Sequence, residues 1–109
     1  MDFRDLFKQL GMRPRMYLPD DRFHTLVAFI EGCNAATDWK LLAGFNEWVA
    51  THTLGQKSSF HWSVIVASKI FPTILDESGA AAIPGELEGP ASEELLRVLD
   101  SYLATRQMT

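Results

Sequence analysis

In the segment "SEELLRVLDSYLATR", residues 92–106, the apolar side chains fall at Leu95, Leu96, Leu99, Tyr102 and Leu103. That spacing gathers them on one face of a helix, whereas a strand would scatter them over both of its faces. Ser92 supplies an N-cap hydroxyl, and Glu93 and Glu94 put negative charge in the first turn, where the helix dipole favours it. A helix with one apolar stripe must bury that stripe against another element, so the rest of the chain has to supply partners.

It does so with the same period. "DFRDLFKQL" aligns Phe3, Leu6, Phe7 and Leu10, with Gly11 placed to end the helix. Asp20 or Asp21 can cap a second helix whose face carries Phe23, Leu26, Val27, Ile30 and Cys33. Asp38 can cap a third, "WKLLAGFNEWVATH", with Leu41, Phe45, Trp48, Val49 and His52 in a stripe. "FHWSVIVASKIF" is rich in β-branched residues and apolar on more than one face. It reads as a buried helix capped by Ser58 or Ser59, with a strand as the alternative. "PTILDESGAAAIPGELEGP" is broken by three prolines and three glycines and reads as an irregular connection with at most one short helical turn. A chain of 109 residues has room for one core. The expectation is an all-α, compact single-domain bundle (residues 1–109) of about five helices, with a long irregular connection before the last.

Between the first two helices lies "GMRPRMYLPDD". Pro14 and Pro19 disfavour helix at the residues before them, and Met16, Tyr17 and Leu18 offer apolar anchors. The segment reads as a structural clip with those anchors buried.

Charge is uneven. Residues 1–71 sum to +1 and residues 72–109 to −5, and six acids with no base lie between Asp76 and Glu94. Nucleic acid is a poor partner for such a surface, since phosphate binding wants clustered Lys and Arg. Asp76, Glu77, Glu86, Glu88, Glu93 and Glu94 are therefore the candidate partner-binding residues, expected on one exposed face and facing a basic protein. One cysteine, Cys33, excludes an internal disulfide and suits a reducing compartment. The first residues form no signal peptide and the longest apolar stretch is too short to span a bilayer, so a cytoplasmic protein with no membrane partner is expected.

Catalytic chemistry has little to work with. His24, His52 and His61 lack metal-ligand spacing, no glycine-rich phosphate loop is present, and Cys33 lies on an apolar face without a basic neighbour. Glu31 with Asn34 is the one pair that acid/base or magnesium chemistry could use. No catalytic residue, metal or cofactor is expected. "RPRMYL" is similar to the Arg-Pro-Gly-Met-Tyr motif of type II topoisomerase ATPase domains. Here Arg15 replaces the glycine, Glu31 and Asn34 are three apart rather than four, and no nucleotide lid follows.

A second likeness covers more of the chain, residues 10–68. The order "RPRMYL", "LVAFIEGCNAA", "FNEWV", "FHWSVIVAS" resembles small helical bacterial immunity proteins encoded beside polymorphic toxins of interbacterial competition. The resemblance implies a non-enzymatic protein that neutralises a toxin by covering its active site, and a monomer or weak homodimer. The alternatives are a small enzyme or nucleotide-binding protein using Glu31 and Asn34, and a helical adaptor subunit.

Overall fold

The computed structural model describes residues 1–76 and 83–107. Five helices follow one another: α1 (Phe3–Met12), α2 (Phe23–Ala36), α3 (Phe45–Leu54), α4 (Trp62–Ser68) and α5 (Gly85–Gln107). Short 3-10 turns lie at Pro14–Met16 and Pro72–Ile74. No strand occurs among the described residues, so the β-branched "WSVIVAS" is helical. The fold is the all-α, single-domain bundle that the apolar periodicity predicts. Its shortest extent is 20 Å, two helix diameters, which makes two layers.

The longest helix, α5, packs against all four others. Its inner face is Ala91, Leu95, Val98, Leu99, Tyr102 and Leu103, all buried. Against it lie Phe7 and Leu10 of α1, Phe23, Leu26 and Ile30 of α2, Phe45 and Val49 of α3, and Ile65 and Val66 of α4. Phe45 is the aromatic hub, with ring centroids 5.1 Å from Tyr102, 5.3 Å from Trp62 and 6.5 Å from Trp48. Contacts of this kind add about 0.5–1.5 kcal/mol each beyond the area they bury. Asn46 ties α3 to α4: its carbonyl accepts from the Trp62 amide at 2.7 Å and its NH2 donates to the Phe60 carbonyl at 3.0 Å.

Helix ends differ from the expectation in several places, the first being α2, whose N-cap is Arg22 without a side-chain hydrogen bond, so that neither Asp20 nor Asp21 caps it. α1 runs through Gly11 to Met12. α4 is capped by the His61 ring, which accepts from the Ser63 amide, while Ser58 caps only the Phe60 amide. The third helix starts at Phe45, not after Asp38, because α2 ends in a Schellman motif that uses those residues. The Asp38 amide donates to Ala35 and the Trp39 amide to Asn34, which puts Asp38 and Trp39 at φ 57° and 65°. Residues 37–44 are turns, closed from the far side by α5. There Tyr102 donates its hydroxyl to the Ala43 carbonyl and Arg106 donates to the Leu41 carbonyl. Gly44 follows at φ 82°, and a Cβ there would lie 3.0 Å from the Tyr102 oxygen.

The last difference is the start of α5. The helix begins at Gly85, seven residues before Ser92, and carries Pro90 inside it. The irregular connection is shorter by that much. Proline crowds the Cβ of the residue before it when that residue is helical, and Gly89 has none. The clip departs from its expected burial as well. Leu18 is buried, but Met16 is 68% exposed and Tyr17 lies at the surface with its ring edge against Phe29.

Candidate partner-binding surface

Glu31 and Asn34 both lie on α2, one turn apart, and serve different neighbours. A Glu31 oxygen accepts from the Trp62 indole at 3.2 Å and stands 4.0 Å from Nε2 of His61. Asn34 is buried, and its side-chain carbonyl accepts from the Leu42 amide at 2.9 Å. Its polar role is to hold the 37–44 turns. His61 Nδ1 accepts from the Ser63 amide at 3.1 Å and stands 2.7 Å from the Ser63 hydroxyl. An Nδ1 that accepts a backbone N–H leaves the proton on Nε2, facing Glu31. Ser63 is buried and shares that nitrogen with its own amide, which is the geometry of a helix cap. His52 faces outward and stacks on Trp48 with centroids 4.2 Å apart, and His24 is exposed. Among the described residues no three His, Cys, Asp or Glu side chains converge as metal ligands. Cys33 is half-buried, and burial pushes its thiol above the ordinary range.

The six acids divide. Asp76, Glu86 and Glu93 are exposed, and Glu77 lies outside the described residues. Glu86 and Glu93 are two turns apart on α5 and share its solvent edge. Glu88 and Glu94 do not join them. Glu88 turns back onto the N-terminus of α2, where Arg22 offers no side-chain cap, and accepts from the Phe23 amide at 3.4 Å with Arg22 at 4.0 Å. Glu94 pairs with Arg97 and with Lys69 just beyond α4. The Arg97 and Lys69 hydrogen bonds hold its carboxyl down to about 2. The single exposed face of six acids is thus corrected: two of its members tie helices together.

The clip brings other acids to Glu93. Arg15 grips both oxygens of Asp21, at 3.1 and 2.9 Å, and donates to the Pro19 carbonyl at 3.2 Å, closing the segment on itself. Asp20 accepts from the Arg22 amide at 3.0 Å. A hydrogen bond from Thr25 and that amide lower the Asp20 carboxyl, and Arg15 lowers Asp21, so both stay ionised. Between the clip, the end of α1, the start of α2 and the first half of α5 lies a cleft of about 360 Å³. Leu10, Leu18, Leu26 and Leu96 form its floor with Pro14, and Asp20, Asp21, Arg22, Ser92 and Glu93 its rim. Glu93 has no hydrogen-bond or ion-pair partner among the described residues.

No family model, curated protein or solved structure matches the chain.

One surface feature escaped the sequence reading. Trp39, the first residue of the helix expected over 39–52 and outside its apolar stripe, stands 64% exposed at the end of α2. The left-handed conformation costs about 1–2 kcal/mol for an ordinary residue. Asp38 tolerates it, and that was the only cue in the sequence. Nearby, Arg4, Lys40 and Arg106 line a shallow groove of about 620 Å³ beside the N-terminus together with Asp2.

Proposed function

We propose that this protein is a non-enzymatic binding protein of the immunity type, which neutralises a bacterial toxin by covering its active site. The cleft at the clip is its contact surface, and the observation that carries the reading is its composition. An apolar floor rimmed by Glu93, Asp20, Asp21 and Arg22, with Asp21 held on Arg15 and Glu93 unpaired among the described residues, accepts the stem of a lysine or arginine while Glu93 pairs with its charged end. A basic toxin domain, whose active site binds polyanions, offers such side chains. Burial of the floor would hold the complex, and the rim with Glu86 would speed encounter.

The test uses the toxin encoded by the adjacent gene and surface plasmon resonance across an ionic-strength series. Glu86→Lys with Glu93→Lys should leave the circular dichroism spectrum unchanged, slow association at least tenfold at low salt, and flatten its salt dependence. Association that ignores both the substitutions and the salt would reject the cleft as the contact surface. A toxin that is not bound at all would reject the immunity reading.

A further inference from the structure

The first turn of α4 is closed by a side chain that can take up a proton. A helix opens on amides that have no acceptor within the helix, and α4 finds its acceptors locally. The Trp62 amide donates to Asn46, and the Val64 and Ile65 amides donate to the His61 carbonyl. The Ser63 amide has one acceptor among the described residues, Nδ1 of the His61 ring at 3.1 Å. That ring is 45% exposed, so water reaches it, and its Nε2 stands 4.0 Å from a Glu31 oxygen. The same carboxylate accepts from the Trp62 indole at 3.2 Å.

We infer that His61 is a proton-operated latch on α4. The neutral ring accepts from the Ser63 amide and closes the first turn. In the protonated ring both nitrogens are donors. Nδ1 then meets the Ser63 N–H donor against donor, while the ring gains a positive charge opposite Glu31. The ring swings from the amide to the carboxylate. The Ser63 hydroxyl, 2.7 Å from Nδ1, can accept from the new N–H, but that leaves the amide of this buried residue unpaired. Little else bears on the ring's charge. α2 turns Glu31 toward it, α3 presents the neutral Asn46, and on α5 Glu94 is occupied with Lys69 beyond the far end of α4. No other acid stands within 4.0 Å of either ring nitrogen among the described residues. Six of the seven residues of α4 are buried, so opening its first turn loosens the corner where Asn46 joins Phe60 and Trp62 to α3. The latch involves neither the clip cleft nor a toxin, and it does not rest on that reading.

Nuclear magnetic resonance of the full chain, with amide exchange measured between pH 8 and pH 5, tests it, because histidine changes charge in that range. Each exchange rate is divided by the rate of the unstructured chain at the same pH. Protection of the Ser63 amide should fall at least tenfold on acidification relative to Ile65, whose acceptor is backbone. The Trp62 indole proton should shift with the same midpoint as the His61 ring. His61→Asn keeps a capping acceptor without a titrating group, so Ser63 should stay protected at both pH values. Glu31→Gln removes the charge that draws the ring away and should move the transition to lower pH. Ser63 protection that is unchanged while His61 titrates overturns the inference. So does a transition that survives His61→Asn, or a midpoint that Glu31→Gln leaves in place.

Discussion

Truncating Asn34 to alanine probes the joint on which the 37–44 turns depend. The side-chain carbonyl is the acceptor for the Leu42 amide, in a site where both residues are buried. Alanine leaves that amide without a partner and without access to water, at a cost of about 1–3 kcal/mol. The Schellman hydrogen bonds use the Asn34 backbone and survive, so the loss should stay near about 2 kcal/mol. For a domain of about 100 residues that lowers the melting temperature by roughly 8–16 °C. Asp38→Gly acts on the same joint in the opposite direction. Asp38 is exposed and left-handed, so glycine relieves backbone strain and should gain up to about 1 kcal/mol after its own entropy cost. Urea denaturation of both variants, with amide exchange followed at Leu42, separates the two effects. Asn34→Ala should abolish protection at Leu42, whereas Asp38→Gly should preserve it. If Asn34→Ala shifts stability by less than about 0.5 kcal/mol and Leu42 stays protected, the side chain is not what holds these turns.

Gly44→Ala should cost about 2–3 kcal/mol in a urea melt, from its left-handed backbone plus a Cβ crowding the Tyr102 hydroxyl, while Gly55→Ala, at φ 73° in open space, should cost about 1 kcal/mol. Equal losses would dismiss the Tyr102 contact. Glu94 ionises near 2 in the native state against an ordinary 4.5, so its stabilisation is complete above about pH 5 and is lost as the pH falls through that interval. Allowing for screening by water, the loss between pH 6 and pH 2.5 should be on the order of 1–2 kcal/mol, and Glu94→Gln should lack that component of the acid sensitivity. Identical pH profiles for Glu94→Gln and wild type would show that the Lys69 and Arg97 pairs contribute nothing.

The helices were legible wherever an apolar period ran unbroken. Phe7 and Leu10, Phe23, Leu26 and Ile30, and Leu95, Leu99, Tyr102 and Leu103 all face the core as their spacing requires. Boundaries failed where one signal carried two meanings. Asp38 is an N-cap residue by composition, yet here it closes a helix in the place that glycine usually takes. Gly89 and Pro90 read as a break, although glycine is the residue that lets a helix pass into a proline. The clip's apolar content said nothing of direction, and Met16 points outward. The acids were legible as a group but not as individuals. Glu88 meets Phe23 across 65 residues of sequence and Glu94 meets Lys69 across 25, and no local pattern encodes those pairings. The clip and Glu93 were each singled out, but only the packing of α5 against α2 brings them to one cleft.

Pro90 also divides α5 in time. Without an N–H at that position the Glu86 carbonyl loses its helical donor, and residues 85–89 begin on a 3-10-type bond from the Leu87 amide to Pro84. This opening stretch is held to the body by the Glu88 carboxylate on Phe23, by Leu87 packed against the core, and by the buried Ile83 and Ala91 on either side. The stretch from Leu95 to Leu103 is sealed by the core on its inner face. Hydrogen exchange should therefore run on two clocks along one helix. The amides of 86–89 exchange at the pace of local fraying, and those of Leu95–Leu103 only when the whole domain unfolds. Glu86 rides on the fast clock and Glu93, two residues before the sealed stretch, lies next to the slow one, so the two neighbouring acids would meet an arriving molecule as a compliant fringe and a firmer post.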